Sequence, residues 1–165
     1  MNLARIAKHL ITPDWVARRH FPAAVLARIG EAIGASERRH RGELRFAVEA
    51  GLDPKALLRG QSPRAQAEEV FARLRVWDTG ENSGVLIYVQ LVDRMIEIVA
   101  DRGINARVPQ SEWDAICRAM ETDFRGQRFE HGALQAIGRI TSLLVRHFPA
   151  TGANPNELPD KPVVL

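Results

Sequence analysis

The run Gly84-Val85-Leu86-Ile87-Tyr88-Val89, followed after Val92-Asp93-Arg94 by Met95-Ile96-Glu97-Ile98-Val99-Ala100, decides the fold. Its first half has few polar breaks, the mark of a strand buried on both faces. The second half is of strand length and lies close enough to pair through a hairpin. Both runs are far shorter than the roughly 18 to 20 apolar residues needed to cross a bilayer, so no membrane-spanning segment is predicted. Two paired strands at the centre of a sheet need helices to cover them, and the flanking sequence supplies these.

Upstream, Leu44, Phe46 and Val48 alternate with Arg45, Ala47 and Glu49, the period of two expected of a half-covered strand over Glu43 to Ala50. Before it, Pro22 suits a first helical turn, and Val25, Leu26, Ile29 and Ile33 draw one apolar stripe, which predicts a helix over 22–37. Gly30 and Gly34, four apart, are read as relief of helix packing. Residues 51–60 read as irregular, and Ser62-Pro63 starts a helix carrying Ala67, Val70, Phe71 and Leu74 to about Trp77. Downstream, Pro109 precedes Ser111, expected to cap a helix with Trp113, Ile116, Cys117, Met120 and Phe124 on one face. Gly126 ends it, and Leu134, Ile137, Ile140 and Leu144 define a last helix as far as His147. The order α-β-α-β-β-α-α predicts a three-layer α/β/α sandwich around a small mixed sheet.

The ends differ in character from this body. Residues 1–21 form a basic, amphipathic arm, with Leu3, Ile6, Ala7 and Leu10 at helical spacing and a second short segment through Trp15 and Val16. The domain proper is expected over 22–148. Beyond it, Pro149, Gly152, Pro155, Pro159 and Pro162 predict an extended tail over 149–165 without regular structure, ending in Val163-Val164-Leu165.

The chain has 165 residues, 45% of them hydrophobic and 26% charged, ordinary values for one globular domain. A single cysteine, Cys117, excludes an intrachain disulfide framework, and the opening residues lack the apolar core of a signal peptide, so a cytoplasmic location is expected. The net charge of +3 is too small to argue for nucleic acid, and no interleaving of aromatic and basic residues supports that partner. The excess is uneven: residues 1–45 hold nine basic against four acidic side chains, the remainder 14 against 16. Arg5, Lys8, Arg18 and Arg19, with Trp15, therefore make a candidate surface for an anionic membrane or a protein partner.

The usual catalytic signatures are absent: no Gly-rich P-loop, no GxGxxG, no HExxH, no paired CxxC and no GxSxG. Cys117 lacks the downstream Arg of a phosphatase nucleophile, that position being Asp123, and reads as a core thiol. The five histidines show no metal-ligand spacing and are expected to be solvated or capping. One constellation survives. Glu49, Asp78, Glu81, Asn82, Asp101 and Arg102 sit on loops or strand ends, where ligands of open α/β sheets collect beyond the carboxyl ends of strands. Oxygen ligands of this kind suit Ca2+ or Mg2+.

The strand, hairpin and strand from Gly84 to Ala100, the exit Asp101-Arg102-Gly103-Ile104, and the turn Arg128-Phe129-Glu130-His131-Gly132 between two helices resemble the TPM domain family over residues 22 to 148. The resemblance implies a three-layer α/β/α domain, often found in membrane-associated or secreted bacterial proteins and in thylakoid proteins of photosystem repair. It further implies acid phosphatase activity and divalent-metal binding in some members, and interaction or assembly roles in others. The family's Asp-Asn-Gly before the buried strand is here Asn82-Ser83-Gly84, and its Glu-Val-Gly-Tyr-Gly exit is Val99-Ala100-Asp101-Arg102-Gly103, so carboxylates are lost while Asp101 and Arg102 are gained. The expectation that follows is a non-catalytic domain binding a protein or membrane-surface partner. The rival expectation is a divalent-metal-dependent phosphatase acting on phosphomonoesters.

Overall fold

The computed structural model describes residues 3–152 and 155–165, apart from the side chains of Leu3 and Lys55. Among these residues the order is α1 (Leu3–Leu10), α2 (Trp15–His20), α3 (Ala23–Glu37), β1 (Glu43–Glu49), α4 (Pro54–Leu58), α5 (Pro63–Arg73), β2 (Gly84–Gln90) and β3 (Met95–Ala100). It continues through α6 (Arg102–Asn105), α7 (Gln110–Arg125), α8 (Phe129–His147) and β4 (Val163–Val164). The strands make one mixed sheet in the order β3-β2-β1-β4. β1 runs parallel to β2 in the register Glu43↔Gly84 to Glu49↔Gln90, and β3 returns antiparallel beside β2.

The sheet lies between two unequal layers. On one face Leu44, Phe46, Val48, Val85, Ile87 and Val89 pack with residues of α3, α7 and α8 in the larger core cluster. On the other, Ala47, Leu86, Tyr88 and Val99 pack with Ala67 and Val70 of α5 and with Leu158 of the tail. Burial of each large aliphatic side chain contributes about 1.5 to 3 kcal/mol, so both faces of β2 stabilise the fold. The predicted three-layer arrangement is what the chain adopts.

β1 departs from the expected half-covered strand, because all seven of its residues are buried. Its polar residues face the second layer, where Glu43 and Glu49 find partners while Arg45 keeps Nε and Nη1 buried without a hydrogen bond among the described residues. The Glu43 carboxylate accepts the backbone N–H groups of Glu157 and Leu158 at 3.2 and 3.1 Å, and Glu49 accepts from the Tyr88 hydroxyl and from Gln66 Nε2 at 3.1 Å. Pairing of this kind offsets the desolvation of the two carboxyl groups.

The tail also departs from the unstructured segment expected. Val163 and Val164 pair parallel with Ala47 and Val48, closing the open edge of β1. On the way the chain crosses α3, where a Cβ on Gly34 would lie 2.5 Å from an Asp160 carboxylate oxygen. The glycine pair read as helix-packing relief thus marks the crossing of the tail. Local propensity favoured no structure here, and the unpaired edge of β1 supplied the hydrogen bonds that create a strand.

Three smaller readings are corrected as well. The stretch 51–60 contains α4, which starts on Pro54 and buries Ala56 and Leu57. α7 starts at Gln110 behind Pro109, with no side-chain cap from Ser111. His9 and His40 are buried, His40 with its Nε2 2.7 Å from Ser36 Oγ. Burial pushes the His40 pKa down to about 4, so this ring is neutral at pH 7. Cys117 is half-buried against the larger core cluster, and burial pushes its pKa up to about 12.

Candidate functional site

Parallel pairing of β1 and β2 fixes which rim each candidate residue occupies. Both strands point their carboxyl ends toward Glu49 and Gln90, so Glu49 lies on the carboxyl rim. The loop with Asp78, Glu81 and Asn82 enters β2 at its amino end, and Asp101 and Arg102 leave antiparallel β3 at the same end. The expectation of one crevice beyond the carboxyl ends is therefore corrected: five of the candidates share the opposite rim. Strand direction, which periodicity does not encode, made the difference.

Four of these five come together. Arg102 Nε donates to Asn82 Oδ1 at 3.0 Å, and the Gly103 N–H donates to the Asn82 carbonyl at 2.9 Å. Asn82 holds a left-handed φ of 53°, which turns its backbone oxygen toward the second loop. The Asp101 carboxylate caps α6 by accepting the Arg102 N–H at 2.7 Å. Glu81 pairs with Arg41, a residue not singled out from the sequence. Asp78 stands apart, in an exposed pair with Arg75 at 2.5 Å.

A divalent cation does not fit this rim. Glu81 Oε2 and Asp101 Oδ2 are buried without hydrogen-bond partners, which leaves two carboxylate oxygens to offer. Ca2+ takes about six to eight oxygens, and two guanidinium groups stand in the same cluster. Among the described residues no three His, Cys, Asp or Glu side chains gather into a set that could hold a metal ion.

The arm residues divide into two groups. Arg5 grips Asp93 of the β2–β3 hairpin through Nε and Nη2, and Lys8 Nζ donates to the Val92 carbonyl at 3.1 Å. His9 Nδ1 accepts the Leu52 N–H at 3.0 Å. These three residues hold α1 against the domain, so the cations of Arg5 and Lys8 are committed to it. Trp15, Arg18 and Arg19 face outward, and neither arginine side chain has a hydrogen-bond or ion-pair partner among the described residues. Beside them Leu10, Ile11 and Trp15 are 57%, 78% and 57% exposed. Ile11 was missed from the sequence, where helical spacing singled out Leu3, Ile6, Ala7 and Leu10; of these Ile6 is half-buried and Ala7 and Leu10 are exposed.

At the carboxyl rim, the Glu49 carboxyl is pushed up by burial, against the hydrogen bonds of Tyr88 and Gln66. It is enclosed by its partners and belongs to the core of that rim. Among the described residues no helix is long and apolar enough to cross a membrane.

A small mixed sheet with helical layers on both faces, carrying paired loops at one rim, defines the class of α/β/α domain to which the chain conforms. Residues 19–143 match the model of the TPM domain, and the chain belongs to that family. The chain is also similar to the BA42 protein of the psychrophilic bacterium Bizionia argentinensis, whose structure was determined by NMR. The two share 29% sequence identity and superpose with a TM-score of 0.73, over 86% of this chain and 92% of that one. No curated protein matches the sequence.

Proposed function

We propose that this TPM domain protein is a non-catalytic binding domain that rests on an anionic membrane surface through its N-terminal arm. The observation that carries the reading is the exposure of Leu10, Ile11 and Trp15 on an arm tied to the hairpin by Arg5 and Lys8. Exposed aliphatic and indole groups cost solvation free energy in water and gain it at the boundary of headgroups and acyl chains. Arg18 and Arg19, on the adjoining turns, supply cations for lipid phosphates, each worth about 1 kcal/mol near an anionic surface. The alternative of docking onto the domain's own core is taken up by other arm residues, Ala17 being buried and Val16 half-buried. Support for a role without chemistry comes from the other rim, where Arg41 and Arg102 engage Glu81 and Asn82.

Co-sedimentation with phosphatidylglycerol-containing vesicles tests the reading, with Ile11→Asp as the variant. That substitution places a charge where the surface would insert and touches nothing in the core. Loss of pelleting in the variant is expected, and equal pelleting of both chains would count against the arm as the contact.

A further inference from the structure

A cavity of about 490 Å³ opens at the carboxyl rim, between the arm, the β2–β3 hairpin and the end of α7. Its volume falls within the roughly 300 to 1,000 Å³ of small-molecule sites, and it lies where parallel strands point their carboxyl ends. The rim cluster around Asn82 is at the other end of these strands, so this cavity is separate from it.

Its lining is divided by chemistry. Val16, Ile96, Phe124 and Phe129 give apolar walls, with the Phe124 and Phe129 rings 4.9 Å apart. Three cations, Lys8, Arg94 and Arg125, stand against one acid, Glu121, which Arg125 already meets at 3.2 Å. His20 stacks on Phe129 at 4.5 Å between centroids. The Arg94 side chain has no hydrogen-bond or ion-pair partner among the described residues. A second, mixed polar and apolar hollow past α2 shares Val16, His20, Gln127 and Phe129 with the first.

The backbone presents two long polar side chains to the cavity. Arg94 and Gln127 both line the cavity, and both hold left-handed φ values, 55° and 59°. Glycine or asparagine would occupy such turns at lower cost; Arg75, which lines neither hollow, holds the same conformation, so the φ values aim these two side chains without marking a ligand site by themselves. At each turn the chain keeps a long polar side chain instead.

We infer that this cavity binds a single-chain amphiphile with an anionic head, its head group on Arg94 and its hydrocarbon between Val16, Ile96, Phe124 and Phe129. The excess of positive charge at the mouth selects the sign of the head, and the walls select the chain. A free alkyl carboxylate is the occupant; a lipid in a bilayer is met by the exposed face of the arm.

The test uses dodecanoate below its micelle concentration, titrated into the full chain by calorimetry and followed by amide NMR shifts, with dodecyltrimethylammonium as the control of opposite charge. Saturable dodecanoate binding is expected, with shifts at Leu91, Ile96 and Phe129, and none with the cationic control. Arg94→Gly removes the charge and relieves the left-handed turn. It should weaken binding roughly tenfold or more, the worth of one charge-assisted hydrogen bond, with an unchanged or higher melting temperature. Ile11→Asp should lose vesicle pelleting and keep dodecanoate. Absence of saturable binding, equal affinity in Arg94→Gly, equal binding of the cationic control, or loss of dodecanoate together with vesicles in Ile11→Asp would each overturn the proposal.

Discussion

The guanidinium of Arg5 meets the carboxylate of Asp93 in a forked pair, Nε 3.0 Å from one oxygen and Nη2 2.7 Å from the other, across 88 residues of sequence. This contact converts a short amphipathic helix into a fixed part of the domain. Burial pushes the Asp93 carboxyl up, but the hydrogen bond from Arg5, joined by His9, carries it below the ordinary value of 3.8. A depressed carboxyl contributes stability that is present above the unfolded value and is lost as pH falls through the lower, folded one. Arg5→Ala should cost about 1 kcal/mol and speed hydrogen exchange of amides 4–10. In the wild-type chain the same amides should loosen only below about pH 3.8. Unchanged protection in Arg5→Ala would remove this pair as the anchor.

Glu37, at the end of α3, titrates in the opposite sense. Burial above all pushes its pKa up to about 9, against the Leu44 N–H, which donates to it at 2.9 Å. The folded chain therefore holds a proton that the unfolded chain releases near 4.5, so this contribution is full below that value and declines as pH rises toward 9. The melting temperature should fall between about pH 7 and 8.5, above the range in which His40, neutral in the fold and protonated in the unfolded chain, contributes the opposite slope. Glu37→Gln keeps an acceptor for Leu44 and should flatten the slope; burial also raises the Glu43 carboxyl, so a smaller slope of the same sign remains. An unaltered slope in the variant would contradict the assignment to Glu37.

Gly103 joins the two loops of the amino-end rim. A Cβ there would lie 2.4 Å from the Glu81 carbonyl oxygen and 2.6 Å from that of Asn82, both backbone atoms with little room to yield. Gly103→Ala should lower stability by about 2 to 4 kcal/mol, read from urea denaturation, because one loop must move off the other. A loss below about 0.5 kcal/mol, the level of an ordinary surface substitution, would show that the loops are not locked together.

The misfit of the rim to a cation has a thermal consequence. A ligand at 100 times its dissociation constant adds about 2.7 kcal/mol to stability. With millimolar Ca2+ or Mg2+ the melting temperature should stay within a degree of that in chelator, and an aryl phosphate should not be hydrolysed. A rise of several degrees, abolished by Asp101→Asn, would restore the metal-dependent reading.

Most of the fold was legible because it is written in local period. The unbroken run of β2, the hairpin to β3, and the stripes of α3, α7 and α8 need only neighbouring residues to be recognised. What escaped depends on distant partners. Arg45 and Glu49 look like solvent-facing alternation until the tail and α5 cover them, and Val163-Val164 is a strand only because β1 has an open edge. The candidate site was legible as a set of residue types and was misplaced as a location, since the rim depends on strand direction. Arg41 and Arg94 act through contacts or backbone conformations that composition does not signal.

Partition of the unmodified chain between solution and vesicles of equal size, with and without phosphatidylglycerol, tests the central claim most directly. Binding to the anionic vesicles at 0.1 M salt is expected, falling as salt screens Arg18 and Arg19, with little binding to neutral vesicles. Failure to bind either vesicle at low salt would contradict the account and leave Leu10, Ile11 and Trp15 to a protein partner.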